Sequence, residues 1–101
     1  MFERLYIVHW ASASSDDDGN AKAFAGVHGV YSTKSAALKG LVECKEQTYD
    51  EIINNPDYDE EDRELANVNC SIYGSEKEEY FELDYFIGDT PVEVYITISE
   101  Q

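Results

Sequence analysis

"EEYFELDYFIGDTPVEVYITISE", residues 78–100, decides the fold. Phe81, Leu83, Tyr85 and Ile87 alternate with Tyr80, Glu82, Asp84 and Phe86, and Val92, Val94, Ile96 and Ile98 alternate with Glu93, Tyr95 and Thr97. A repeat of two marks a strand with one face on a core and the other on solvent. "GDTP", residues 88–91, supplies Gly and Pro between the two runs, so they read as a hairpin and the sheet as antiparallel.

Working outward, "STKSAALKGLVECKEQTYDEIINN", residues 32–55, carries the helical repeat. Ala37, Leu38, Leu41, Val42, Lys45, Tyr49, Ile52 and Ile53 follow its spacing, with Ser32 or Thr33 as N-cap and Pro56 as the stop. Lys39, Glu43, Glu46 and Asp50 occupy the opposite face. They run from basic to acidic, against the helix dipole.

Ahead of the helix, "RLYIVHWAS" (4–12) and "AFAGVHGVY" (23–31) read as two strands paired antiparallel. "SASSDDDGN", residues 12–20, favours turns and should end the first of them. Gly26 and Gly29 weaken the second strand and mark a bulge or a close helix approach. "DEEDRELAN" allows a short helix anchored at Leu65, and "CSIYG" (70–74) a short strand. The expectation is a single domain spanning 1–101, of α+β class: an antiparallel sheet of four to five strands, order ββα(α)βββ, with one main helix on one face.

The chain has 101 residues and 43% hydrophobic residues, enough for one modest core. Cys44 and Cys70 are its two cysteines, with no CxxC and hence no disulfide framework or zinc cluster. "MFERLYIVHW" is too short and too charged for a signal segment or a membrane span. A cytoplasmic setting in a bacterial host cell is expected, with no membrane partner.

The net charge is −15, and its placement says more than its size. Residues 1–39 hold Glu3, Asp16, Asp17 and Asp18 against Arg4, Lys22, Lys34 and Lys39, which cancel. The remaining eighteen acids face only Lys45, Arg63 and Lys77, so the whole −15 belongs to residues 40–101. Solubility of a small domain needs a net charge of only about 2 to 8.

Catalytic and metal motifs fail on spacing. A calcium loop with Gly19 at its sixth position puts Ser14 at the first and Ala25 at the twelfth, and one starting at Asp57 puts Asp62 where glycine belongs. His9 and His28 lie on neighbouring strands and could face one another, yet spacing names no third ligand or orienting carboxylate. Neither cysteine has a recognisable partner, and no turn frames a serine nucleophile. No enzyme activity, metal or cofactor is expected.

The carboxylates remain. Alternate residues of a strand recur at about 6.6–6.8 Å, so Glu82 and Asp84, with Glu93 on the next strand, should form an acidic strip opposite Phe81, Leu83 and Ile87. "PDYDEEDRE", residues 56–64, gives a second ridge of Asp57, Asp59, Glu60, Glu61, Asp62 and Glu64. Glu79 extends the strip, and Tyr58, Tyr80 and Tyr95 are interleaved, a residue type favoured in interface cores. A net −15 in a domain roughly 34 Å across is of the order of the about 20 phosphate charges of duplex DNA of that length. Like charge disfavours nucleic acid as a direct ligand. A basic nucleic-acid-binding protein is the favoured partner, with the chain as monomer or homodimer.

In size, charge and the runs "PDYDEEDRE" and "SEKEEYFELD", the chain resembles small acidic DNA-mimic inhibitors of phages and mobile elements, of anti-restriction or anti-CRISPR type. "LYIVHW", "GVYSTKSAALKGL" and "YFELDYF" also look like the strand, strand-into-helix and late strand of small phage and bacterial ββαβ proteins, a likeness that implies a fold and no activity. The first likeness implies a stoichiometric inhibitor that blocks the nucleic-acid-binding groove of a defence nuclease. An immunity protein against a cognate nuclease toxin uses the same physics. A small acidic interaction module with no nucleic-acid-related target, its charge merely solvating, is the bland reading. In the inhibitor reading the ten acids Asp57, Asp59, Glu60, Glu61, Asp62, Glu64, Glu79, Glu82, Asp84 and Glu93 stand in for phosphates and Tyr58 and Tyr80 anchor.

Overall fold

A computed structural model describes residues 4–15, 19–54, 59–61, 64, 70–87 and 90–101. Five strands, β1 (Tyr6–Ser15), β2 (Ala21–Tyr31), β3 (Ser71–Ser75), β4 (Tyr80–Ile87) and β5 (Thr90–Glu100), form one sheet in the order β2-β1-β5-β4-β3, with every pairing antiparallel. One long helix, α1 (Lys34–Ile53), packs on one face. The class is α+β, as the alternation of the hairpin and the repeat of the helix require.

Thr33 caps α1, its side chain accepting from the Ala36 backbone N–H at 3.1 Å. Ala37, Gly40, Leu41, Cys44 and Ile52 are the buried face of the helix. Ala37, Leu41 and Ile52 belong to the expected stripe, whose Leu38, Val42, Lys45, Tyr49 and Ile53 are half-buried at its flank, while Gly40 and Cys44 extend it on the other side. Gly40 is buried for a steric reason. A Cβ there would collide with the Tyr31 ring, and a Cβ at Gly29 would lie 2.8 Å from the Tyr31 hydroxyl. Tyr31 therefore occupies space that only two glycines leave open, drawing the Gly40 side of the helix onto the sheet. Lys45 lays its stem along the edge of the core, its Nζ 4.9 Å from the centre of the Phe81 ring.

Val8, Phe81, Leu83, Val92, Val94 and Ile96 supply the sheet side of the core. Leu41, Leu83, Ile96 and Val8 are the largest fully buried side chains, each contributing about 1.5–3 kcal/mol by leaving water. The N- and C-terminal strands are neighbours: Leu5 and Gln101 exchange backbone hydrogen bonds of 2.9 and 2.8 Å, and Arg4 pairs with Glu100 at 2.8 Å.

β1 runs to Ser15 and β2 starts at Ala21, so residues 12–15 continue the strand where their composition predicts a turn. Ser12, Ala13, Ser14 and Ser15 face Phe24, Ala23, Lys22 and Ala21 in an unbroken ladder, and that pairing overrides their weak strand propensity. The ladder slips between Val8, opposite Gly29, and His9, opposite Val27. His28 is the extra residue of a β-bulge, which confirms the bulge expected from the glycines around it. Leu65 and most of the segment around it lie outside the described residues.

Candidate functional site

Because Phe81 and Leu83 enter the core, Glu82 and Asp84 point to the sheet face opposite α1. Pairing then brings the predicted strip together: Asp84 is directly opposite Glu93, Glu82 opposite Tyr95, and Tyr80 opposite Thr97. On the other flank β3 sets Tyr73 opposite Glu82 and Ser71 opposite Asp84. The long helix α1 lies on the other face. The centre of the acid face is thus three carboxylates with Tyr95 and Tyr73 beside Glu82, and Tyr80 one row away.

The acids are not equivalent. Glu93 is exposed and accepts a hydrogen bond from the Tyr95 hydroxyl at 3.0 Å. That bond is the main reason the Tyr95 hydroxyl is pushed up to about 12, with burial and the charge of Glu82 adding to it. Asp84 is half-buried, and its Oδ1 is shut off from solvent with no hydrogen-bond partner among the described residues. Burial raises its carboxyl first, and a hydrogen bond and the negative charge of Glu82 raise it further. Asp84 therefore holds its proton more readily than a free carboxylate.

Glu79 has a different job. It ends the turn between β3 and β4 at φ 64, in the left-handed region, and pairs with Lys34 at the start of α1. The contact also raises the Lys34 ammonium, chiefly through the hydrogen bond to Glu79. Asp59, Glu60, Glu61 and Glu64 are exposed, with Glu60, Glu61 and Glu64 in helical conformation. Asp57, Tyr58 and Asp62 lie outside the described residues.

The two histidines are not brought together. His9 lies on the face opposite α1, its Nε2 2.6 Å from the Ser99 hydroxyl and 3.1 Å from that of Thr97. The bulge turns His28 to the helix side, where its Nε2 is 3.4 Å from Glu43 Oε1. The sheet itself separates them, which removes a shared imidazole site. His28 instead lines a crevice of about 350 Å³ between α1 and the sheet, with Trp10, Cys44 and Tyr85. Cys44 is buried there and burial pushes its thiol up, away from the reactive thiolate.

Tyr73 was not foreseen as part of this face. Its signal was the "SIYG" strand itself: once β3 is placed at the sheet edge, alternation sends Tyr73 to the side of Glu82. Comparison of the chain with protein-family models, with curated proteins and with solved structures found no match. No helix among the described residues is long and apolar enough to cross a membrane.

Proposed function

We propose that the protein is a stoichiometric inhibitor whose acidic surface imitates nucleic acid and occupies the nucleic-acid-binding groove of a basic protein, a host defence nuclease or its complex. One observation carries the reading: Glu82, Asp84 and Glu93 share the sheet face opposite α1 with Tyr73, Tyr80 and Tyr95. Like charges directly opposite on neighbouring strands destabilise a sheet. A fold that keeps Asp84 against Glu93 bears that cost, and among the described residues neither forms a salt bridge, which suits a surface whose complement comes from outside.

The charge density supports the same conclusion. The molecule is 52 Å long, longer than the roughly 34 Å expected for a sphere of this size, and a net −15 over that length is about half the charge density of duplex DNA, which carries one charge per ~1.7 Å. Tyrosines among the acids add contact area of the kind found at interface hot spots. Asp59, Glu60, Glu61 and Glu64 are further exposed acids. The action is occlusion with no turnover, and nucleic acid itself is repelled.

Competition tests it. Increasing amounts of the protein are added to restriction and CRISPR nucleases holding a fluorescent 20-base-pair duplex, and duplex release is followed by polarisation. Release from at least one of these nucleases, weakening as salt rises, is the expected result. Duplex retained by all of them at large excess of the protein at low salt contradicts the reading.

A further inference from the structure

Strand β2 is an outer strand eleven residues long, and most of its side chains are exposed. Phe24, Val27 and Val30 are 63%, 62% and 56% exposed. Sheet edges are ordinarily blunted by charges, prolines or very short strands, since unpaired N–H and C=O groups recruit further strands. Lys22 is the one charged residue in β2, no proline interrupts it, and the bulge sits toward its far end at His28.

The occupant follows from charge and shape. β2 belongs to the part of the chain whose charges cancel, residues 1–39, and lies three strands from β4. A basic partner is drawn to the acid strands and has no reason to select this neutral edge. A second copy meets no net repulsion here. Across such a junction the two β5 strands stand five strand steps apart, about 24 Å at ~4.8 Å each, or three Debye lengths of ~8 Å at physiological salt.

The sequence of the edge is also complementary to itself. Antiparallel pairing about Ala25 sets Phe24 opposite Gly26 of the other copy and Val27 opposite Ala23, so a larger residue meets a smaller one at each, and the bulge at His28 ends the straight ladder.

We infer that a second copy of this chain pairs antiparallel with β2 about a two-fold axis at Ala25, joining two five-stranded sheets into one of ten. The axis is perpendicular to the sheet and the contact isologous. Both faces opposite α1 then lie on the same side of the joined sheet. The choice of occupant draws on the proposed function only in setting aside a basic partner; the exposed edge and its neutral charge are independent of it.

Light scattering during size exclusion of the full chain at 0.15 M salt reads the outcome. The wild type is expected at twice the 11.5 kDa chain mass, and the double variant Phe24→Lys/Val27→Lys at the mass of one chain with an unchanged circular dichroism spectrum. Ala25→Cys in the otherwise wild-type chain provides a readout that does not depend on the lysine variant folding: mild oxidation is expected to give a disulfide-linked dimer, as opposed cysteines on paired strands fall within bridging distance. A wild type that runs as one chain, a dimer undiminished in the folded lysine variant, or no cross-link through Cys at position 25 overturns the inference.

Discussion

Asp84 and Glu93 stand directly opposite one another on β4 and β5, two acids paired across the sheet. Asp84 is the one that yields, its carboxyl raised by burial and by Glu82. With the folded-state value above the unfolded one, the folded chain binds more protons between the two. Stability therefore rises as pH falls through the folded value of Asp84 and is lost as pH climbs above it. Asp84→Asn should gain about 0.5 kcal/mol at pH 7 by removing a like-charge pair, a rise of about 2–4 °C in Tm. It should also lessen the gain in Tm that the raised Asp84 carboxyl gives the wild type as pH falls. Thermal melts at several pH values check both.

The hydrogen bond from Tyr95 to Glu93 makes a separate, spectroscopic prediction. Tyr95 should remain protonated until about pH 12 in the wild type. Glu93→Gln removes the largest cause, and one tyrosine should then titrate closer to the ordinary value of 10.0. The alkaline rise of tyrosinate absorbance reads this as a difference of one residue between the two proteins.

The hairpin, the helix and the strip of Glu82, Asp84 and Glu93 were legible in the sequence because they rest on strict alternation and a single dominant repeat. Two things were not. The burial of Gly40 depends on the Tyr31 ring, whose contact with Gly29 and Gly40 no linear pattern encodes. The separation of His9 from His28 depends on one extra residue in β2, and a slip of one residue exchanges the faces of a strand. Glu79 and the strip acids are adjacent in sequence yet differ in role, because the left-handed turn sends Glu79 to Lys34.

Gly40→Ala tests the Tyr31 contact. In an exposed helix the change would gain up to about 1 kcal/mol of propensity. Here the new methyl meets the Tyr31 ring, which the Gly29 backbone holds from the other side. A net loss of about 1–3 kcal/mol is expected, as for other overpacked sites. Urea denaturation measures it, and a gain would show that Tyr31 swings away freely.

Cys44 is 3% exposed and its thiol is raised by burial, only partly offset by a hydrogen bond with Thr48. Iodoacetamide at pH 7.5 should modify Cys70, which is half-buried, well before Cys44. Modification of Cys44 should track global unfolding. Mass spectrometry of the timed digest separates the two sites.

The acid face is tested most directly by reversing its charge and measuring affinity for the nuclease that duplex competition identifies. Glu82→Lys/Glu93→Lys should weaken binding by at least about tenfold at 0.15 M salt and reduce the dependence of affinity on salt. Phe24→Lys/Val27→Lys, at the far edge, should retain most of the single-copy affinity. Unchanged affinity in Glu82→Lys/Glu93→Lys, with the fold intact by circular dichroism, would contradict the claim that this face replaces nucleic acid.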